Sequence, residues 1–207
     1  MFNLPHWAAT KISIETARYF KIYSSVQDGN CFFDSVRIIL SQTLPQTIAQ
    51  IRYVVALPVR DVRNDNITET IKNWIQLYQD ALKENTTELK REYQHVAGVT
   101  LPLTDHGRDC IFYSMMQSSY WGEEHACRIV EETYNIRFLI FDGDYEKFEV
   151  NHSYYSPTYN HGNQLDYCFI YKANSHYMPV LFQDKSKWKW EQLPREVQLL
   201  FSPPAQN

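Results

Sequence analysis

The sequence predicts an α+β domain, with helices first and a sheet concentrated in the last third. Three observations predict it. Apolar residues recur at helical spacing early in the chain, as in Phe32, Val36, Ile39 and Leu40. Short β-prone runs bounded by turn residues follow, over 136–141, 165–171 and 176–182. Helices and strands that segregate along the chain in this way read as α+β rather than as alternating βαβ units.

Residues 1–18 read as an N-terminal extension with a short helix over 12–18. Residues 19–26, YFKIYSSV, are β-prone. A helix over 32–43 follows, closed by Leu44-Pro45, and a second over 47–55 stops near Pro58. From 67 to 95 a narrow apolar stripe (Ile67, Ile71, Trp74, Ile75, Tyr78) marks a largely polar helical arm, broken near Asn85-Thr86-Thr87. Residues 98–107 read as a loop, 110–118 as a helix, 119–122 as a turn and 123–134 as a helix with acids at its start. Asp142-Gly143-Asp144 reads as a hairpin turn, with 145–150 as the returning strand and 151–164 as a polar loop. After the last strand, Leu193-Pro194-Arg195-Glu196 opens a closing helix to about 201, and 202–207 is tail.

A chain of 207 residues is long enough to bury a substantial core, as one large domain or two small ones. We expect one domain over 19–201, with residues of about 60–100 as an inserted arm. The net charge of −4 and the absence of a long basic run give no support for a nucleic-acid partner. Fifteen tyrosines suit a half-buried sheet and a recognition surface. Cys31, Cys110, Cys127 and Cys168 are widely spaced without a C-x-x-C, and four cysteines allow three pairings, so their number decides nothing about disulfides. Residues 1–10 contain Pro5 and His6 and lack the apolar run of a secretory signal, and no run reaches membrane-spanning length. The expectation is a soluble, reduced, cytoplasmic protein.

Chemistry concentrates at Asp28-Gly29-Asn30-Cys31, just ahead of the first apolar helical run. Such a turn delivers a thiol to a helix start, where unpaired N–H groups and the helix dipole favour thiolate and can hold an oxyanion. The plainer reading is a core cysteine beside two phenylalanines, preceded by an ordinary turn. A thiol nucleophile needs a base, and seven histidines are candidates. His6 lies in the extension, His95 and His106 by the arm, His125 on a helix, and His152 and His161 in the polar loop. His176 differs, since it opens a strand directly after a tight turn. Cys at a helix start with His on a later strand is the arrangement of papain-like hydrolases, although the papain-type local signature is missing.

Three blocks now carry a resemblance. Asp28-Gly29-Asn30-Cys31-Phe32-Phe33, then Ser35-Val36, resembles the cysteine box of the OTU (ovarian tumour) deubiquitinating cysteine proteases. Trp121-Gly122, followed by Ile129-Val130 and Tyr134-Asn135-Ile136, is similar to that family's Trp-Gly turn, helix and strand. Ile170-Tyr171, Asn174, His176-Tyr177 and Val180 are similar to its histidine box. The blocks occur in the family's order and span about residues 19–182. The resemblance implies a papain-like fold with a central, mostly antiparallel sheet flanked by helices. It implies ubiquitin or polyubiquitin chains as partner and no metal or cofactor. It makes Cys31 the nucleophile, His176 the base and Asp28 either the acid partner of His176 or a support for the oxyanion site, with Gly29 and Asn30 beside the oxyanion and Asn174 as the fallback orienting residue. Asp28 as a turn former only stays open.

The chain also departs from the family pattern. Some relatives place an acid or amide two residues after the histidine, where this chain has Met178; the acid expected after Trp-Gly is Ala126, with Glu123 and Glu124 nearby. The 90 residues from Cys31 to Trp121 exceed the spacing of compact members, and the excess lies in the arm. Arms of this kind occur in bacterial members, which admits an effector acting in a host cytosol. Three other readings remain: a catalytically silent ubiquitin-binding module, a cysteine hydrolase for a ubiquitin-like modifier, and a Cys₂His₂ metal site drawn from His106, Cys110, His125 and Cys127. Cys127 falls on an apolar helix face, which argues against the last.

Overall fold

Alternating side chains on two strands organise the molecule into layers. The computed structural model describes residues 2–3, 12–61, 63–122, 124–144, 149–155 and 165–201. Among these, one sheet carries six strands: β1 (Phe2–Asn3), β2 (Phe20–Ile22), β3 (Ile136–Asp144), β4 (Glu149–Tyr155), β5 (Asp166–Ala173) and β6 (His176–Phe182). Their order is β1-β2-β6-β5-β3-β4, antiparallel throughout except for the parallel pair β3–β5. Phe138, Ile140, Cys168 and Ile170 point into one core; Leu139, Phe141, Phe169 and Tyr171 point into another. The centre of the sheet is thus covered on both faces, where a half-buried sheet was the expectation.

Eight helices complete the described chain: α1 (Ile14–Ala17), α2 (Cys31–Leu40), α3 (Ile48–Ala56), α4 (Asp65–Lys83), α5 (Thr87–Glu92), α6 (Asp105–Met115), α7 (Glu124–Tyr134) and α8 (Arg195–Phe201). The larger core takes apolar residues from α2, α3, α4, α6 and α7, including Phe32, Ile51, Ile71, Ile111 and Val130. Val197 and Phe201 of α8 cover the other face. The fold is α+β with a mostly antiparallel sheet, as expected.

Local chemistry explains most boundaries. Thr47 and Gln50 form a reciprocal capping box at the start of α3. Asn64 caps α4 by accepting from the Ile67 N–H. Asn85, at φ 58°, breaks the arm between α4 and α5. The stripe on α4 buries Ile67, Ile71, Trp74 and Ile75 in the larger core, so the arm is part of the domain's packing on that face.

Some boundaries differ from expectation. Helix α6 begins at Asp105, inside the expected loop, because Thr104 accepts from the Gly107 N–H and starts the helix early. The expected turn at 142–144 is strand: a register shift between Asp142 and Gly143 absorbs the glycine, and β3 runs on. Its partner β4 occupies 149–155, the end of the expected returning strand and the first part of the expected polar loop, while 145–148 lie outside the described residues. Within the N-terminal segment, Phe2 pairs with Ile22, which makes β1 an edge strand. The main-chain N–H of Ser13 donates to Glu196 at 2.7 Å, fastening the segment before α1 to α8. Among the described residues, no helix is long and apolar enough to cross a membrane.

Candidate active site

Cys31 is the first residue of α2, and α2 packs along β6, which opens with His176. The Cys31 thiol is buried and lies 3.7 Å from the carbonyl oxygen of Ser175, the residue directly before His176. A turn with Asn174 at φ 55° reverses the chain between β5 and β6 and sets Ser175 against the thiol. The fold therefore brings together two short segments 144 residues apart.

The turn ahead of Cys31 is tightly bonded. Asp28 accepts the Asn30 N–H through Oδ1 at 2.7 Å and the Asn30 side-chain amide through Oδ2 at 3.2 Å, while its carbonyl accepts the Cys31 N–H at 3.0 Å. Asp28 is exposed, and these bonds shape the turn. Gly29 is needed for close approach rather than for an unusual φ: a Cβ there would run into the Ser118 carbonyl oxygen. A Cβ on Gly122 would likewise overlap the Phe32 ring, which explains the glycine after Trp121.

Arg52 of α3 locks this turn to the rest of the molecule. It donates from Nε to Asn30 Oδ1 at 2.8 Å, from Nη1 to the Met115 carbonyl at 2.8 Å, and from Nη2 to the carbonyls of Gly29 at 2.8 Å and Tyr120 at 3.1 Å. Its guanidinium lies 4.0 Å from the centre of the Phe33 ring. Burial pulls it down to about 10, and it stays charged at neutral pH.

Beside His176, Ser25 is buried with its Oγ 3.4 Å from His176 Nε2, and its hydroxyl donates to the Tyr177 carbonyl. Ser35 of α2 donates to the same carbonyl at 3.0 Å. Met178 is buried in the second core.

Burial pushes the Cys31 thiol up. The backbone N–H groups of Tyr177 and Phe32 pull the other way, and the charge of Asp28 pushes it up again. The helix-start effect expected from sequence is present, but desolvation outweighs it. Burial also lowers His176. A proton acceptor for the thiol is therefore a physical requirement.

Ser175 also lines a cavity of about 760 Å³ between the arm and the sheet. Trp74, Glu88 and Glu92 are among the residues on its arm side, and Trp121, Arg128 and Lys172 are among the others that line it. Cys31 is not among the lining residues; Ser175 joins the cavity to the thiol.

The other cysteines and histidines lie elsewhere. All four cysteines are free; Cys127 and Cys168 are buried, and burial drives both thiols up. Exposed Cys110 lies 3.6 Å from His106 Nε2 on α6, far in sequence from buried His125 and Cys127 on α7. Among the described residues, no group of three or more His, Cys, Asp or Glu could hold a metal ion. His95 and His125 are buried around Trp74. His6 and His161 lie outside the described residues, and His152 is on β4.

Arg52 and Ser25 were missed from sequence. Arg52 had a signal: it sits at i+4 from Ile48 and i−3 from Val55, on the apolar face of α3. Ser25 had none that separates it from Ser24.

No family model and no curated protein matches the sequence. The structure is similar to an OTU deubiquitinase from Wolbachia pipientis wMel, with a TM-score of 0.51 and 17% identity over 87% of this chain and 96% of that one. It is also similar to an OTU deubiquitinase from Wolbachia pipientis wMel bound to ubiquitin, with a TM-score of 0.50 and 20% identity over 81% of this chain and 99% of that one. At these identities the likeness is one of fold, and the chain has the fold of the OTU deubiquitinases.

Proposed function

We propose that this chain is a cysteine-type deubiquitinase, hydrolysing the isopeptide or peptide bond at the C-terminal glycine of ubiquitin. The observation that carries the reading is the Cys31 thiol at the start of α2, set against the residue before His176 and beside a cleft, on an OTU fold. The ubiquitin-bound state of one structure with this fold supports ubiquitin as the partner.

In this reading His176 takes the Cys31 proton as the sulfur attacks the carbonyl carbon of the terminal glycine. The oxyanion forms beside the turn of Gly29 and Asn30, which Asp28 and Arg52 hold in shape. His176 then protonates the departing lysine amine. Water, deprotonated by His176, releases ubiquitin from the acyl-enzyme. Residues 19–201 act as one catalytic domain, with the arm as a wall of the cleft.

The test is the intact mass of the protein after incubation with ubiquitin carrying a thiol-reactive C-terminal electrophile, beside Cys31→Ala. One covalent adduct, lost in the variant, is expected. No adduct, with Cys31 still alkylated by a small reagent, would make it a cysteine hydrolase for another substrate, and a panel of ubiquitin-like modifiers would then be tried. No reaction of Cys31 with either reagent would make it a structural cysteine on a silent module.

A further inference from the structure

We propose that Ser25 is the positioning residue of the base: its oxygen accepts the Nε2–H of His176 and leaves Nδ1 as the basic nitrogen. The inference rests on the assignment of His176 as base in the function proposed above.

A serine hydroxyl has a single hydrogen and two acceptor lone pairs. Ser25 gives that hydrogen to the Tyr177 carbonyl. Toward His176 Nε2, 3.4 Å away, the oxygen can therefore only accept. A neutral imidazole whose Nε2 carries the proton has its lone pair on Nδ1. Donation to the carbonyl also polarises the hydroxyl and makes its oxygen a better acceptor.

The segment bearing Ser25 is held on both sides. The Tyr23 N–H donates to the Pro179 carbonyl at 2.9 Å, extending the pairing of this segment with β6. The Val26 N–H donates to Asp34 Oδ2 at 3.1 Å, and Asp34 is itself buried and paired with Arg37. Ser25 is thereby fixed against the strand that carries the histidine, as an orienting group must be. Asp28, for its part, accepts from Asn30 through both carboxylate oxygens. When the thiol proton moves to Nδ1, the imidazolium keeps its Nε2–H on Ser25, so the ring stays in place for the later transfer to the leaving amine.

Ser35 supplies the control. It donates to the same Tyr177 carbonyl, so Ser25→Ala and Ser35→Ala each remove one hydroxyl from that carbonyl. Of these two hydroxyls, the one within hydrogen-bonding distance of His176 is that of Ser25.

The experiment is ¹⁵N NMR of the histidine rings in the full chain, with the His176 signals identified by their loss in His176→Gln. The wild type is expected to show the Nε2–H tautomer. Ser25→Ala is expected to lose that single tautomer, Ser25→Thr to restore it, and Ser35→Ala to keep it. In a Cys110→Ser background, which removes the exposed thiol, alkylation of Cys31 by iodoacetamide at pH 7 should slow about fivefold in Ser25→Ala, as loss of one hydrogen bond implies. An Nδ1–H tautomer in the wild type overturns the proposal, and needs no variant to be seen. So does an unchanged tautomer in Ser25→Ala, or an equal loss in Ser35→Ala. None of these readouts uses ubiquitin, so a missing ubiquitin adduct beside the expected tautomer would count against the deubiquitinase reading alone.

Discussion

Arg52 donates from Nη2 to the Gly29 carbonyl at 2.8 Å, and this bond couples helix α3 to the turn that ends at Cys31. Three further bonds from the same guanidinium reach Asn30, Met115 and Tyr120. One buried cation thus joins the turn before Cys31 to the loop that precedes Trp121.

Replacing Arg52 should therefore loosen the site and the fold together. Arg52→Ala strands four buried or half-buried acceptors and is expected to cost about 3 kcal/mol. Urea unfolding measures the loss, and iodoacetamide alkylation of Cys31 measures how far the turn has relaxed. Arg52→Lys should recover only part of either, since an ammonium cannot span the same acceptors.

Gly29→Ala should be as damaging as a core substitution, although residue 29 lies in a turn. The added methyl meets the Ser118 backbone, which cannot rotate away. A loss of about 2 kcal/mol is expected, in the range of overpacked sites. Thermal unfolding would show it, and a wild-type melting temperature would show that the two loops separate freely.

Asp28 can be separated into its two roles. If it acts through the bond from the Asn30 N–H, Asp28→Asn keeps an acceptor oxygen and should retain most of the reactivity toward a ubiquitin electrophile, whereas Asp28→Ala should lose part of it. If it acts as the acid partner of His176, both variants should fall alike. Cys31→Ala should abolish the reaction, and His176→Ala nearly so.

Acid should destabilise the arm's packing. His95 and His125 flank Trp74, and burial holds each down to about 4. In the unfolded chain they take up protons near pH 6.5, while in the fold they stay neutral until about pH 4. Folding stability is complete above pH 6.5 and falls through that window, by about 1.4 kcal/mol per pH unit for each histidine. Urea midpoints at pH 7 and pH 4.5 measure the slope, and His125→Phe should remove about half of it.

The helices were legible because their information is local. Apolar spacing located α2, α3, α4 and α7 to within a few residues, and Asn85 marked the break between α4 and α5. The order of strands after helices was legible for the same reason. The extent of β3 through Gly143 was not, because a bulge is defined by the partner strand and leaves no pattern on its own residues.

The site divides along the same line. A cysteine in a Gly-containing turn before an apolar helix, and a histidine opening a late strand, are residue types in local contexts, and both could be read before any contact was known. The contacts around them could not. Ser25 reaches His176 across 151 residues, and Arg52 reaches Tyr120 across 68. The need for glycine at 29 comes from the Ser118 backbone of a distant loop, which the turn's own residues do not reveal. Nor could the charge state of the thiol be read from its helix position, since burial, a property of the whole packed chain, outweighs the N–H groups that the position supplies.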